Sequence, residues 1–388
     1  MVLSTRPKDR LRGYGLVLSI AAALLLVTAP LSAQEVVGEH VYETIGLGSD
    51  YPVASERAVK SGEPVLVWAD VIVYPGATYI APHFSWLNLP AGDTLVVRSV
   101  DGEQFWTYTG KGRSDLGVSA EGLFATHLKG DTAIFELYST NTPRSLKAMA
   151  GDLPFGVEVD FYGRGYAQHE IDAYWQAGLG ADMNLPRPDW LNTKAICGSD
   201  DSREAKCYQT SEADAYNESR AVTRLFRNGN VHCTGWLIGS EGHIMTNEHC
   251  IGSQSELNTI DFEFGAEGAS CSTDCRSGGA CSGTIEASGG TLVAVDANLD
   301  YALVDPPGAN LTATYGYMQL RASGAVVGER LYIPQHPAGW GKRIALESSH
   351  PTDGGFATVA SVNAPGCGGT GPDVGYYADT QGGSSGSP

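Results

Sequence analysis

The chain reads as mostly β, with a β-sandwich in its first half and a second, cysteine-containing β domain behind it. Three observations predict this. Apolar and polar residues alternate with period two along much of the chain. Gly, Pro, Asp and Asn interrupt the alternation about every ten residues, the punctuation of short strands. Forty-nine glycines in 388 residues are many, which favours turn-rich β architecture over helical bundles. The length leaves room for two ordinary domains.

The first element is a leader. Arg6, Lys8, Arg10 and Arg12 precede the apolar run "YGLVLSIAAALLLVTAPL", and small residues before Gln34 offer a cleavage site. That order is the one of a secretory signal over residues 1–33, and the apolar run is short for a bilayer span. Later apolar segments are shorter still, so a secreted, extracellular protein with no membrane association after cleavage is expected. Removing the leader takes four basic and one acidic residue from totals of 25 and 44, leaving 21 against 43 and a net charge of −22. Phosphate backbones repel such a chain, which argues against nucleic acid as a partner.

Residues 34–165 form the predicted sandwich. "PVLVWADVIVY", "DTLVVRSV", "EQFWTYTG", "TAIFELYS" and "GVEVDFYG" alternate in the strand pattern. No grouping of His, Asp, Glu or Cys there suggests chemistry, and Trp68, Trp86 and Trp106 read as core or sheet-face residues rather than a carbohydrate platform. Residues 166–195 read as a linker: "HEIDAYWQAGL" predicts a short helix and "NLPRPDWLN" an extended stretch. From residue 196 onward short strands return, including "HCTGWLIG", "GHIMTN", "TIDFEFG" and "DYALVD".

All eight cysteines lie in this second half. In a secreted chain they imply disulfides. Zinc fits poorly, since no CxxC pair is followed by a second ligand pair at finger spacing, and neither metal nor cofactor is expected. Asn217-Glu-Ser and Asn310-Leu-Thr are sequons, usable where the host glycosylates its secretory route.

Three stretches carry chemistry. In "CTGWLIGSEGHIMTNEHC", Cys233 and Cys250 enclose a strand-turn-strand with His249 beside the second cysteine; a bridge there would pin the loop of a general base. Asp300 stands at the start of the apolar strand "YALV", where a carboxylate needs a partner such as an imidazole N–H. "GGSSGSP" presents backbone N–H groups around a serine hydroxyl. Acyl transfer needs a nucleophile, a base, a carboxylate to orient it and donors for the oxyanion. The assignment is therefore Ser385 as nucleophile, His249 as base, Asp300 as orienting acid, and the Gly383 and Ser385 N–H groups as oxyanion hole. A flexible Gly/Ser tail is the competing reading of the last stretch. "GGSSG" also matches the nucleophile elbow of α/β hydrolases, but that fold requires its acid and histidine after the serine, and only four residues follow Ser384.

"TNEHC", "DYALV" and "GSSGSP", in that order, resemble the trypsin-like (chymotrypsin-fold) serine peptidases over roughly residues 195–388. "SRAV" and "PQHPAGWGKRIAL" are similar to the secreted microbial lysyl endopeptidases, and glutamyl endopeptidases share the final Ser-Pro. The resemblance implies a double β-barrel over residues 196–388 and hydrolysis of protein or peptide substrates through an acyl-enzyme. It pairs Cys233 with Cys250 and Cys207 with Cys271. Ser384 stands where many animal members carry the Asp of their activation ion pair, so that switch is absent. The family's last strands, after the nucleophile, are missing, and Cys197 would seek its partner beyond residue 388. Asp379, six residues before Ser385, takes the place of trypsin's pocket aspartate and implies cleavage after Lys or Arg. The alternatives are an inactive peptidase homologue acting as a secreted binding protein, or a secreted carbohydrate-binding module with an accessory domain.

Overall fold

A computed structural model describes residues 36–47, 50–55, 63–112, 122–149, 154–183, 185, 199–308, 310–365 and 372–388. The leader at 1–33, most of the extended linker, Cys197 and Cys367 lie outside the described residues.

The first half is a sandwich of two antiparallel sheets. One contains β1 (Gly38–Gly46), β9 (Gly156–Gly165), β3 (Tyr79–Asn88) and the two short strands β6 (Leu123–Phe124) and β7 (Leu128–Lys129) against β3. The other runs β2 (Val65–Val73), β8 (Thr132–Ser139), β4 (Asp93–Arg98) and β5 (Phe105–Tyr108). The alternation seen in sequence appears here as burial: every second residue of β4 and β8 points inward. Ile80, Phe84, Leu95, Phe135, Leu137 and Val159 meet between the sheets as one apolar core. The helix α1 (Pro143–Met149) links β8 to β9, and α2 (Gln168–Gln176) follows β9, where a short helix is expected.

The second half opens with β10 (Arg203–Glu204) and α3 (Ala213–Ser219), followed by a curled seven-stranded antiparallel sheet. Its order is β15 (Thr284–Ser288), β14 (Ile260–Phe264), β11 (Val222–Arg227), β12 (Asn230–Ile238), β13 (His243–Thr246), β17 (Tyr301–Asp305) and β16 (Thr291–Asp296). Asn228 and Gly229 turn β11 into β12 with φ of 50° and 75°, the left-handed pair that Asn-Gly supplies to a two-residue hairpin. Leu225, Leu237, Ile244, Phe262, Phe264 and Val304 fill the concave side. The remaining strands form smaller sheets: β18 (Ile333–Gln335) and β19 (Arg343–Ala345) with β10, β20 (Glu347–Ser348) with β21 (Gly355–Phe356), and β22 (Val359–Pro365) with β23 (Pro372–Tyr376). The chain is thus a sandwich followed by a chymotrypsin-like β domain.

Candidate active site

His249 lies just past β13, in a turn tied down from three sides. Cys250 and Ile251 donate backbone N–H bonds to the Asn247 carbonyl. The Asn247 side chain donates to the Asp300 carbonyl at 2.8 Å. Cys250 is bonded to Cys233 on β12, with Cα atoms 6.2 Å apart. A fourth restraint comes from behind: the buried ring of His232 donates from Nε2 to the Cys250 carbonyl at 2.9 Å. A carbonyl only accepts, so Nε2 carries the proton. Burial holds His232 at a pKa of about 4, so the ring stays neutral. His232, Cys233 and Cys250 cluster closely, but both sulfurs are committed to their disulfide and the trio is no metal site.

Asp300 caps the start of β17 with φ of 49°, a left-handed conformation that short polar residues tolerate better than others. From there its carboxylate reaches His249 at two points. Oδ2 lies 2.8 Å from ring Nδ1, and Oδ1 accepts the backbone N–H of His249 at 3.1 Å. A carboxylate acceptor puts the ring proton on Nδ1 and leaves the lone pair on Nε2. The pair is half-exposed, with 37% and 44% of the two side chains open to solvent, rather than sealed at the mouth of a buried strand.

The serine turn is held by its carbonyls. Ala338 N–H donates to the Gly382 carbonyl at 2.6 Å, Thr234 Oγ1–H to Gly383 at 2.8 Å, and Thr234 N–H to Ser385 at 2.9 Å. Ser384 turns inward, its hydroxyl accepting the Gln381 N–H. Gly383 and Gly386 have φ of 88° and 86°. A Cβ at Gly386 would stand 2.1 Å from the Thr234 carbonyl oxygen, so glycine is required for the turn to approach β12. Among the described residues the Gly383 and Ser385 amides donate no hydrogen bond, and none joins Ser385 Oγ to the His249 ring.

A family profile described as "Trypsin-like peptidase domain" matches residues 233–388, the stretch that contains His249, Asp300 and Ser385. Across 379 residues the chain is 40% identical to "Secreted RxLR effector protein 73" of Plasmopara viticola, covering 93% of this chain and 85% of that protein. The chain belongs to the family of that effector. Among solved structures, "Crystal structure of Deg5" matches at 16% identity and a TM-score of 0.29, over 44% of this chain and 74% of that one. "HtrA-type protease AlgW with tripeptide" matches at 16% identity and a TM-score of 0.24, over 44% and 56%.

Within the trypsin-like domain Asp379 is 3% exposed, and its Oδ2 accepts the backbone N–H of Asp201 at 2.7 Å. It thereby anchors the segment before β10, which Arg343 also holds through Ser202 and Glu204. Two further disulfides close the domain, Cys207–Cys271 and Cys275–Cys281. The second pair had no assigned partners in the sequence. Asn217 lies in α3, and the Asn310 amide donates to the Ser240 carbonyl at 2.7 Å.

Thr234 is the residue that reading the motifs missed. Fully buried on β12, it bonds Gly383 and Ser385, and its Oγ1 also accepts the His336 N–H at 3.1 Å. Its position directly after Cys233 was the available signal, but a Thr in an alternating strand looks like an ordinary strand residue.

Proposed function

We propose that this protein is a secreted serine endopeptidase in which His249, Asp300 and Ser385 form the catalytic triad. The observation that carries the reading is the double hold of Asp300 on His249, which fixes the ring and, in its neutral form, directs the lone pair to Nε2. Ser385 Oγ attacks the scissile carbonyl carbon while its proton passes to Nε2. The carbonyl oxygen becomes an oxyanion facing the Gly383 and Ser385 N–H groups. His249 then gives the proton to the leaving amine, the C–N bond breaks and the acyl-enzyme remains. Water repeats the sequence, with His249 as base and then acid, to release the acid product. Asp300 accepts the Nδ1–H and stabilises the imidazolium.

The sandwich at 34–165, linker at 166–195 and peptidase domain at 196–388 are the proposed domain organisation. The basic-apolar-small leader supports secretion, as does the likeness to a protein named a secreted effector. Asp379 supports cleavage after Lys or Arg. A second reading, an inactive homologue that acts by binding, is favoured by the absence of a Ser385–His249 hydrogen bond among the described residues. A fluorophosphonate probe separates the two. Labelling that Ser385→Ala and His249→Ala abolish is the expected outcome; no labelling of a folded wild-type chain would leave the binding reading.

A further inference from the structure

The sandwich meets the peptidase domain through a buried charge that leads toward the serine turn. Arg224 on β11 is fully buried and its Nε donates to Glu263 Oε2 at 2.7 Å. Its Nη1 donates to the carbonyls of Ala280 and Gly339, each at 2.9 Å. Gly339 closes the turn whose Ala338 N–H holds the Gly382 carbonyl at 2.6 Å. The outer end of this chain of contacts is a sandwich residue. His127, 4% exposed, stacks on Phe226 with ring centroids 4.0 Å apart, and its Nε2 lies 3.3 Å from Glu263 Oε1. The angle falls short of a hydrogen bond, so the contact is a close polar approach of the ring nitrogen to the carboxylate.

Burial pushes the Glu263 carboxyl up, but the Arg224 guanidinium and then His127 outweigh it and hold it ionised. A carboxylate this deep needs its neighbours, because an uncompensated buried charge is strongly destabilising. Glu263 Oε1 also accepts the Gly283 N–H at 2.8 Å, so His127 is one of three neighbours that keep Glu263 seated, beside Gly283 and Arg224, and Arg224 is part of what keeps the Gly339 turn beneath Gly382. A second contact joins the domains without touching Arg224: the buried Tyr79 hydroxyl donates to Asn230 Oδ1 at 3.0 Å.

We propose that the N-terminal sandwich is a positioning element for the serine turn, acting from His127 through Glu263 and Arg224 to the Gly339 turn. The sandwich is then a working part of the catalytic unit rather than a module that could be shed without consequence. The catalytic half of this statement rests on the peptidase reading above; the mechanical half does not.

A chain of contacts becomes a coupling only when both ends are shown to respond together. The test uses the full chain with three single variants. His127→Phe keeps the ring stacked on Phe226 and removes the nitrogen facing Glu263; His127→Gln keeps a side-chain N–H near Glu263; Asn230→Ala removes the Tyr79 acceptor. Amide exchange is read at Ala338, Ser384 and Thr234, whose N–H groups hold the turns, and labelling of Ser385 by fluorophosphonate is timed. His127→Phe should speed exchange at these amides and slow labelling, each roughly tenfold, within the range of couplings between sites. His127→Gln should lie between it and wild type, and Asn230→Ala should match wild type. Unchanged exchange in His127→Phe overturns the proposal, and so do equal effects of His127→Phe and Asn230→Ala, which would mean general loosening of the interface. A wild-type chain that takes no label removes the peptidase reading, while the exchange rates still decide the mechanical coupling.

Discussion

Asp300 holds His249 twice, with Oδ2 2.8 Å from ring Nδ1 and Oδ1 3.1 Å from the backbone nitrogen of the same residue. One carboxylate fixes both where the loop sits and which ring nitrogen carries the proton. Asp300→Asn preserves the size of the group but presents an amide N–H toward Nδ1, reversing the ring's tautomer. The substitution should therefore lower kcat by on the order of 10³- to 10⁴-fold, the loss that a reversed tautomer produces in such triads. KM and the thermal midpoint should move little. Equal kcat values for variant and wild type on a peptide substrate would take the base's role away from His249.

Thr234 offers a test of the serine turn that leaves the proposed triad intact. Its hydroxyl donates to the Gly383 carbonyl and accepts the His336 N–H, so Thr234→Val strands two buried backbone groups. Each unsatisfied group costs about 1–3 kcal/mol. Thr234→Val should lower both stability and the rate of Ser385 labelling, whereas Thr234→Ser should restore the rate. Labelling at the wild-type rate in a folded Thr234→Val would show that the turn holds its shape without the hydroxyl.

The contrast between these residues shows what the sequence made legible. His249, Asp300 and Ser385 stand in short motifs where rare side chains occur in a fixed order, so residue identity alone points to them. The sandwich strands were legible because one face of each is buried and the alternation survives in the sequence. Thr234 and His127 work through long-range partners, Gly383 and Glu263, that only the folded topology brings near. Among the described residues the strands β18 to β21 span only two or three residues each, and carry too few alternating positions for a pattern to define their pairing. Cys275 and Cys281 are six residues apart, and spacing alone cannot choose among the pairings of eight cysteines.

His232 gives the domain a pH dependence of known sign. Burial holds its pKa at about 4, while the unfolded ring titrates near 6.5, so the unfolded state takes up a proton first. Stability is full above pH of about 6.5 and falls as pH drops toward 4, by about 3 kcal/mol for this group. His336, also buried and held well below its usual range, acts in the same direction. Urea unfolding at pH 7 and pH 4.5 should show a smaller loss in His232→Gln, whose amide can still donate to the Cys250 carbonyl. An identical loss in wild type and variant would assign the acid sensitivity to other groups.

Asp379 has one observed role and one proposed role, and the two can be separated. Its carboxylate accepts the Asp201 N–H, and a charge in that place would also pair with a Lys or Arg side chain before the scissile bond. Asp379→Asn keeps an acceptor for Asp201 and removes the charge; Asp379→Ala removes both. If the carboxylate reads the substrate, Asp379→Asn should lower kcat/KM for Arg and Lys peptides by roughly tenfold or more relative to neutral ones, with little change in thermal midpoint. Asp379→Ala should add a stability loss of about 1–3 kcal/mol from the stranded N–H. Paired chromogenic peptides ending in Arg, Lys, Glu and Ala measure the first effect, and thermal unfolding the second. An Asp379→Asn chain with unchanged preference would leave Asp379 as an anchor for the segment before β10, and faster wild-type cleavage after Glu than after Arg would end the basic-residue reading altogether.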